Sequence, residues 1–183
     1  MVRTQHDRAE FMLSAGTPAD AERVRDFIAG LSLRSQFLRF FASVATPSSS
    51  LLRSLTSADG RADVLIAADA AGALVGHGMV VDRTAADGRR VSDIGVVVTD
   101  RWQGRGVGSA LLSTLARRAA GRGSAELVMD VLPENARMLA MIDRRWPDAR
   151  RSRGRDSVTI RAALTHSAPA VPREAVPGRA CGA

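Results

Sequence analysis

One passage restricts the chain more than any other. A β-branched run, Val96-Val97-Val98-Thr99, is followed within a few residues by the glycine-dense turn Gln103-Gly104-Arg105-Gly106-Val107-Gly108. That turn opens directly into a stretch where Val107, Ala110, Leu111, Leu112, Leu115, Ala116 and Ala119 recur at helical spacing, which predicts a helix over 106–120 closed by Gly121 and Gly123. Glycines let a backbone approach a ligand closely and adopt positive φ where the turn needs it. The first N–H groups of such a helix have no intrahelical acceptor and sit at its positive end. A strand, a glycine turn and a helix start in that order make a phosphate site. The apolar segment 125–131 then reads as a buried strand, and a strand–helix–strand run places its two strands parallel.

Two common phosphate motifs do not fit. A P-loop ends in Gly-Lys-Ser/Thr, and the chain has no lysine. A dinucleotide fingerprint needs G-x-G-x-x-G after the first strand of a βαβ unit, whereas Gly104, Gly106 and Gly108 are spaced by two and follow a meander of antiparallel strands. The meander reads as strands over 63–68, 73–81 and 91–98, joined by turns at 69–72 and 86–88.

Upstream, Glu10 to Ser14 reads as an edge strand. Thr17 and Pro18 start a helix over 18–30, with Asp20 and Glu22 near its positive end and Gly30 closing it. Ser32 is placed to cap a second helix carrying Phe37, Leu38, Phe40 and Phe41. With Phe27, these aromatics read either as core packing or as walls of an acceptor site. A loop at 47–50 precedes a short helix from Leu51 to Ser57. Downstream, Pro133-Glu134-Asn135 opens a helix through Leu139 and Ile142, and 146–164 supplies an arginine-rich strand and a last strand, 157–164.

The 183 residues suit one domain, and the expected division is a folded domain over 1–164 with a disordered tail of Pro, Ala, Gly and Arg over 165–183. Net charge is +7 with every basic residue outside histidine an arginine, yet aromatics make up only 4%, so stacking platforms for single strands are missing and no nucleic-acid partner is expected. No apolar run reaches membrane-spanning length, and the N-terminus does not resemble a secretory leader. The lone Cys181 builds neither an internal disulfide nor a metal cluster, and a cytoplasmic location without a bound metal is the expectation.

The turn Gln103-Gly104-Arg105-Gly106-Val107-Gly108, with Trp102 and the hydrophobic strand before it and a helix after it, resembles the signature of the GCN5-related N-acetyltransferase (GNAT) superfamily. The likeness covers roughly 10–164. It implies an α/β (α+β) fold: a central mixed, mostly antiparallel sheet of about six to seven strands flanked by about four to five helices, with parallel, splayed strands 4 and 5 forming the CoA cleft. It also implies acetyl-CoA as co-substrate. Backbone groups of Val96, Val97 and Val98 would hold the pantetheine arm. The turn and helix start, Gln103, Gly104, Arg105, Gly106, Val107, Gly108 and Ser109, would hold the pyrophosphate, and Asn135 would contact the cofactor while capping its helix. Asp93 falls where many relatives carry a glutamate base; its side chain is one methylene shorter, which favours a bridging water. Its other reading is a carboxylate making a turn hydrogen bond, and His77, between Gly76 and Gly78, reads chiefly as structural. The tyrosine that protonates the leaving thiolate in many relatives has no counterpart, because the chain has no tyrosine.

The run from Leu31 to Phe41, with Ser32, Ser35, Phe37, Arg39, Phe40 and Phe41, is similar to a helix of bacterial Pat-type protein lysine acetyltransferases. The implied acceptor is a lysine of a protein such as an acyl-CoA synthetase. A small amine and a CoA-binding module without turnover are the alternatives, and the assembly is a monomer or homodimer.

Overall fold

The computed structural model describes residues 11–44 and 46–164. Glu10, Cys181 and the segment 165–183 expected to form a tail lie outside the described residues. Seven strands form one sheet: β1 (Phe11–Ala15), β2 (Ala62–Asp69), β3 (Leu74–Thr84), β4 (Arg90–Val98), β5 (Glu126–Val131), β6 (Arg150–Arg153) and β7 (Val158–Ala163), in the order β1-β2-β3-β4-β5-β7-β6. Every neighbouring pair is antiparallel except β4 and β5. Five helices cover it: α1 (Ala21–Ala29), α2 (Leu33–Phe40), α3 (Ser49–Thr56), α4 (Val107–Gly121) and α5 (Ala136–Arg145). The mixed α/β architecture implied by the glycine-turn resemblance is the one found.

Local chemistry sets the helix starts. Ser35 N–H donates to the Ser32 hydroxyl at 3.2 Å, Leu51 N–H to the Ser48 hydroxyl at 3.2 Å, and Met138 N–H to the Asn135 side-chain oxygen at 3.2 Å. Each such cap stabilises its helix by about 1 kcal/mol. The helix expected from Pro18 begins as a single 3₁₀ turn over Pro18–Asp20, with Thr17 and Asp20 forming a capping box, before α1 proper. A second 3₁₀ turn, Asp100–Trp102, was not apparent in the sequence. The β3–β4 hairpin also runs further than its apolar residues suggest, to Thr84 paired with Arg90.

The sheet is covered on both faces, which is why β2 reads as an unbroken buried run, Val64 to Ala67. On one face α4 brings Val107, Leu111, Leu112 and Leu115 onto Leu65, Val75, Val80, Ile94 and Val98, and Ile142 of α5 joins the same core. On the other face Val24, Phe27 and Ile28 of α1 and Leu52 and Leu55 of α3 pack on Ile66 and Val97. Gly76 and Gly78 permit the close approach of α4: a Cβ at either would come within 2.9 Å of Val107 or Leu115. Below the sheet end, Arg122 spans Asp82 at 2.7 Å and Asp63 at 3.1 Å, and Ser92 donates to Asp82 at 2.6 Å. Much of the arginine in the last strands is structural: Arg150 and Arg161 both hold the buried Glu126 carboxylate, at 2.7 and 2.9 Å.

Candidate functional site

The parallel pair β4–β5 is hydrogen-bonded only from Val91 to Asp93, opposite Glu126 to Val128. Beyond Asp93 the strands part, while β4 stays paired to β3 as far as Val98. Backbone groups alternate sides along a strand. Thr99 N–H donates to Val75 O at 3.0 Å on the β3 side, so Val97 faces β3 and Val96 and Val98 face the gap. That gap is the mouth of a cleft of about 520 Å³, lined by β4, by the glycine turn, by one side of α2 and by the start of α5. The volume lies within the range of small-molecule and cofactor sites.

The turn is built for backbone exposure. Gly104 and Gly106 have φ of 79° and 90°, and a Cβ on either would meet nothing within 4 Å. Ala110 N–H bonds Gly106 O at 2.9 Å and closes the first turn of α4, which leaves the N–H groups of Val107, Gly108 and Ser109 without helical acceptors. Arg105 lies over the Trp102 ring, 5.4 Å from its centroid, and Val107 points its side chain into the core, so these two can offer the cleft little more than backbone.

Gln103 ties the site together. Its side-chain amide donates to Val98 O at 3.1 Å and to the Ser35 hydroxyl at 3.2 Å, while its oxygen accepts from Arg137 at 2.7 Å. One side chain thus fastens β4, α2 and α5. Beside it, burial works against the charge of Asp100, but hydrogen bonds from Ser35 and Ser32 outweigh it and hold its carboxyl below the usual range. The serines of α2 are therefore buttresses of the turn.

The helix expected either as core or as an acceptor-site wall does form a wall, but chiefly through side chains other than the aromatics that suggested it. Arg34, Ser35, Leu38 and Arg39 line the cleft, as do Arg137, Met138, Met141 and Arg144 of α5. For Arg39 the signal was the glycine at position 95: a Cβ there would fall 2.6 Å from the guanidinium carbon. The aromatics of α2 divide. Phe40 packs on the core, whereas Phe37 and Phe41 are 44% and 41% exposed.

Asp93 shares the Gly95 face of β4 but lies outside the cleft lining, at the last paired position of the two parallel strands. It accepts from Arg83 Nε at 2.7 Å, and both side chains are roughly half exposed. His77 is buried, with Nε2 2.8 Å from Leu55 O, which makes it a structural link between β3 and α3. Among the lining side chains, hydroxyls come from Ser35 and Ser109. No group of three or more potential metal ligands exists among the described residues.

Residues 32–145 match the acetyltransferase (GNAT) family model. No curated protein matches the chain. Among solved structures, the GNAT domain of S. lividans PAT is 27% identical with a TM-score of 0.74, over 83% of this chain and 89% of that one. The cAMP-binding acyltransferase from Mycobacterium smegmatis is 26% identical with a TM-score of 0.56, over 85% of this chain; the match spans 44% of that longer protein. The yncA structure from Salmonella typhimurium, with its cofactor acetyl-CoA, shares the fold at 17% identity and a TM-score of 0.62, over 91% of this chain and 99% of that one.

Proposed function

The chain belongs to the acetyltransferase (GNAT) family, and we propose that it transfers an acetyl group from acetyl-CoA to a lysine side chain of a protein acceptor, by direct attack in a ternary complex. The reading takes 1–164 as the catalytic domain, in the cytoplasm, and an acyl-CoA synthetase as the acceptor class to test first.

The lining suits such a co-substrate. Free N–H groups at the start of α4 and the open side of Gly104 and Gly106 match a pyrophosphate. Arg34, Arg137 and Arg144 put positive charge around a polyanion. The Val96 backbone, facing the gap, matches the pantetheine arm and the acyl carbonyl. Acetyl-CoA supplies a thioester carbon activated toward an amine, and the protein must bring the amine to it deprotonated. Asp93 is the base in this reading. Its pairing with Arg83 does not forbid that, because a half-exposed ion pair is worth about 0–1 kcal/mol and yields readily to an incoming group. Asp93→Ala is expected to lower kcat by about a hundredfold or more while leaving the affinity for acetyl-CoA unchanged; kinetics together with titration calorimetry read both. Unchanged kcat would remove Asp93 from the mechanism.

A protein acceptor is supported above all by Phe41. It ends α2 with φ of 59°, a left-handed conformation that costs a bulky residue about 1–2 kcal/mol. Its ring is exposed, as is that of Phe37 one turn earlier. Two exposed aromatics on the cleft-walling helix, one held in a strained position, suit the anchors of a protein interface. The double variant Phe37→Ser/Phe41→Gly is expected to raise thermal stability, through relief of the left-handed strain, and to cut kcat/KM on a protein lysine about tenfold or more. Thiol-release assays against an acyl-CoA synthetase and a panel of small amines test it. Equal loss on both acceptor classes, or turnover on small amines alone, would overturn the protein reading.

A further inference from the structure

Among the described residues that line the cleft, Arg39 is the arginine with a buried donor left without a partner. Its guanidinium lies over Gly95, on the strand segment where β4 leaves β5, next to the Val96 backbone that opens to the gap. Its Nε is buried without a hydrogen-bond partner. Burial alone, with no carboxylate opposing it, pulls its pKa down to about 10. The Phe40 ring, 5.0 Å from the guanidinium carbon, offers a π face but no oxygen. Other cations of the protein are treated differently: Arg83, Arg122, Arg150 and Arg161 each meet a carboxylate within 3.1 Å. A partly buried guanidinium whose Nε has no partner is costly unless something else brings oxygen atoms to the fork.

We propose that Arg39 receives a carboxylate delivered by a substrate to the acyl end of the cleft. The planar fork of a guanidinium matches a carboxylate in two parallel hydrogen bonds, and partial burial strengthens them. Glycine at position 95 leaves the room the guanidinium occupies, since any side chain there would evict it. Two substrates can bring the group. A dicarboxylic acyl chain, such as succinyl on CoA, carries it at its far end. An amino acid used as acceptor carries it beside the attacking amine. The inference rests on the cleft's being an acyl-CoA site and departs from the reading above in one substrate, the acyl group in the first case and the acceptor in the second.

Binding measurements separate the cases. Titration calorimetry of the full chain with CoA, acetyl-CoA and succinyl-CoA forms the first arm. In the second, the CoA-loaded protein is titrated with leucine and with leucinamide, which lacks the carboxylate. Arg39→Met keeps the apolar stem and removes the charge; Arg39→Lys keeps the charge and loses the fork. A carboxylate held by Arg39 predicts a preference of roughly ten- to a hundredfold for succinyl-CoA over acetyl-CoA, or for leucine over leucinamide, according to its source. Arg39→Met abolishes that preference, read as the ratio of the two affinities within each variant, and Arg39→Lys restores part of it. Thermal melts check that Arg39→Met folds, and no loss of stability is expected because an uncompensated charge leaves. Equal affinities in both arms with wild-type protein, or a preference that survives Arg39→Met, overturns the proposal while the acyl-CoA reading stands. Failure of acetyl-CoA to bind at all overturns both.

Discussion

Gly106→Val is expected to abolish acyl-CoA binding while leaving the protein folded. Gly106 sits at the N-terminal cap of α4 with φ of 90° and ψ of −11°, where a β-branched residue is strongly disfavoured. Space is not the obstacle, since a Cβ there meets nothing within 4 Å. The obstacle is torsional. Valine would push the turn toward negative φ, swing the N–H groups of Val107, Gly108 and Ser109 away from a common point, and place its methyls where a phosphate would lie. Affinity for acetyl-CoA should fall about a hundredfold or more, as several charge-assisted hydrogen bonds are lost together. Stability should fall by only about 1–2 kcal/mol. Gly88 supplies the control. It has φ of 81°, is equally open, and lies in the β3–β4 turn. Gly88→Val should share the stability loss and keep the affinity. Calorimetric titration and thermal melts of both variants decide the matter; matched affinities in the two would remove the turn from phosphate binding.

That contrast shows which part of the molecule a linear reading reaches. The glycine turn, the caps at Ser32 and Asn135, and the parallel β4–β5 pair follow from neighbours in the chain, because a turn type, a cap or a crossover is decided over a few residues or one βαβ unit. The side chains by which α2 walls the cleft do not. Arg39 and Gly95 stand 56 positions apart in the numbering, and nothing near either one announces the other. Gln103 looked like one position in a glycine motif, yet its side chain bonds groups from Ser35 to Arg137. Asp93 was legible as a carboxylate on a strand, but its partner Arg83 comes from the far limb of a hairpin whose polar end the apolar pattern did not extend to. The aromatics of α2 posed the reverse difficulty. A helical stripe of phenylalanines suggests burial, yet Phe37 within the helix and Phe41 at its left-handed ending are both exposed.

His77 leads to the second large effect, which appears in stability as pH falls. Its Nε2 lies 2.8 Å from Leu55 O; a carbonyl only accepts, so Nε2 carries a proton, and burial keeps the ring neutral at pH 7. Burial pulls the pKa down to about 4; the bond to Leu55 opposes that, and the positive charge of Arg39 adds to it. In the unfolded chain the ring titrates near its ordinary value of 6.5. Between those two values the unfolded state binds a proton that the folded state refuses, so acidification favours unfolding. Stability should be unaffected by His77 above about pH 7, fall by up to about 1.4 kcal/mol per pH unit through the window, and lose about 3 kcal/mol in total by pH 4. Below that point the histidine contributes nothing further. The carboxyls of Asp82 and Glu126, held low by their arginine and serine partners despite burial, then take over as they protonate. His77→Gln separates the two regimes, because its amide can still donate toward Leu55 O but does not titrate. Denaturant melts of parent and variant should converge near pH 4 and differ most at pH 7, where the neutral ring packs without cost. A parent whose stability stays flat from pH 6.5 to 4.5 would mean that the ring is solvated as an imidazolium, and that β3 and α3 open locally at this contact.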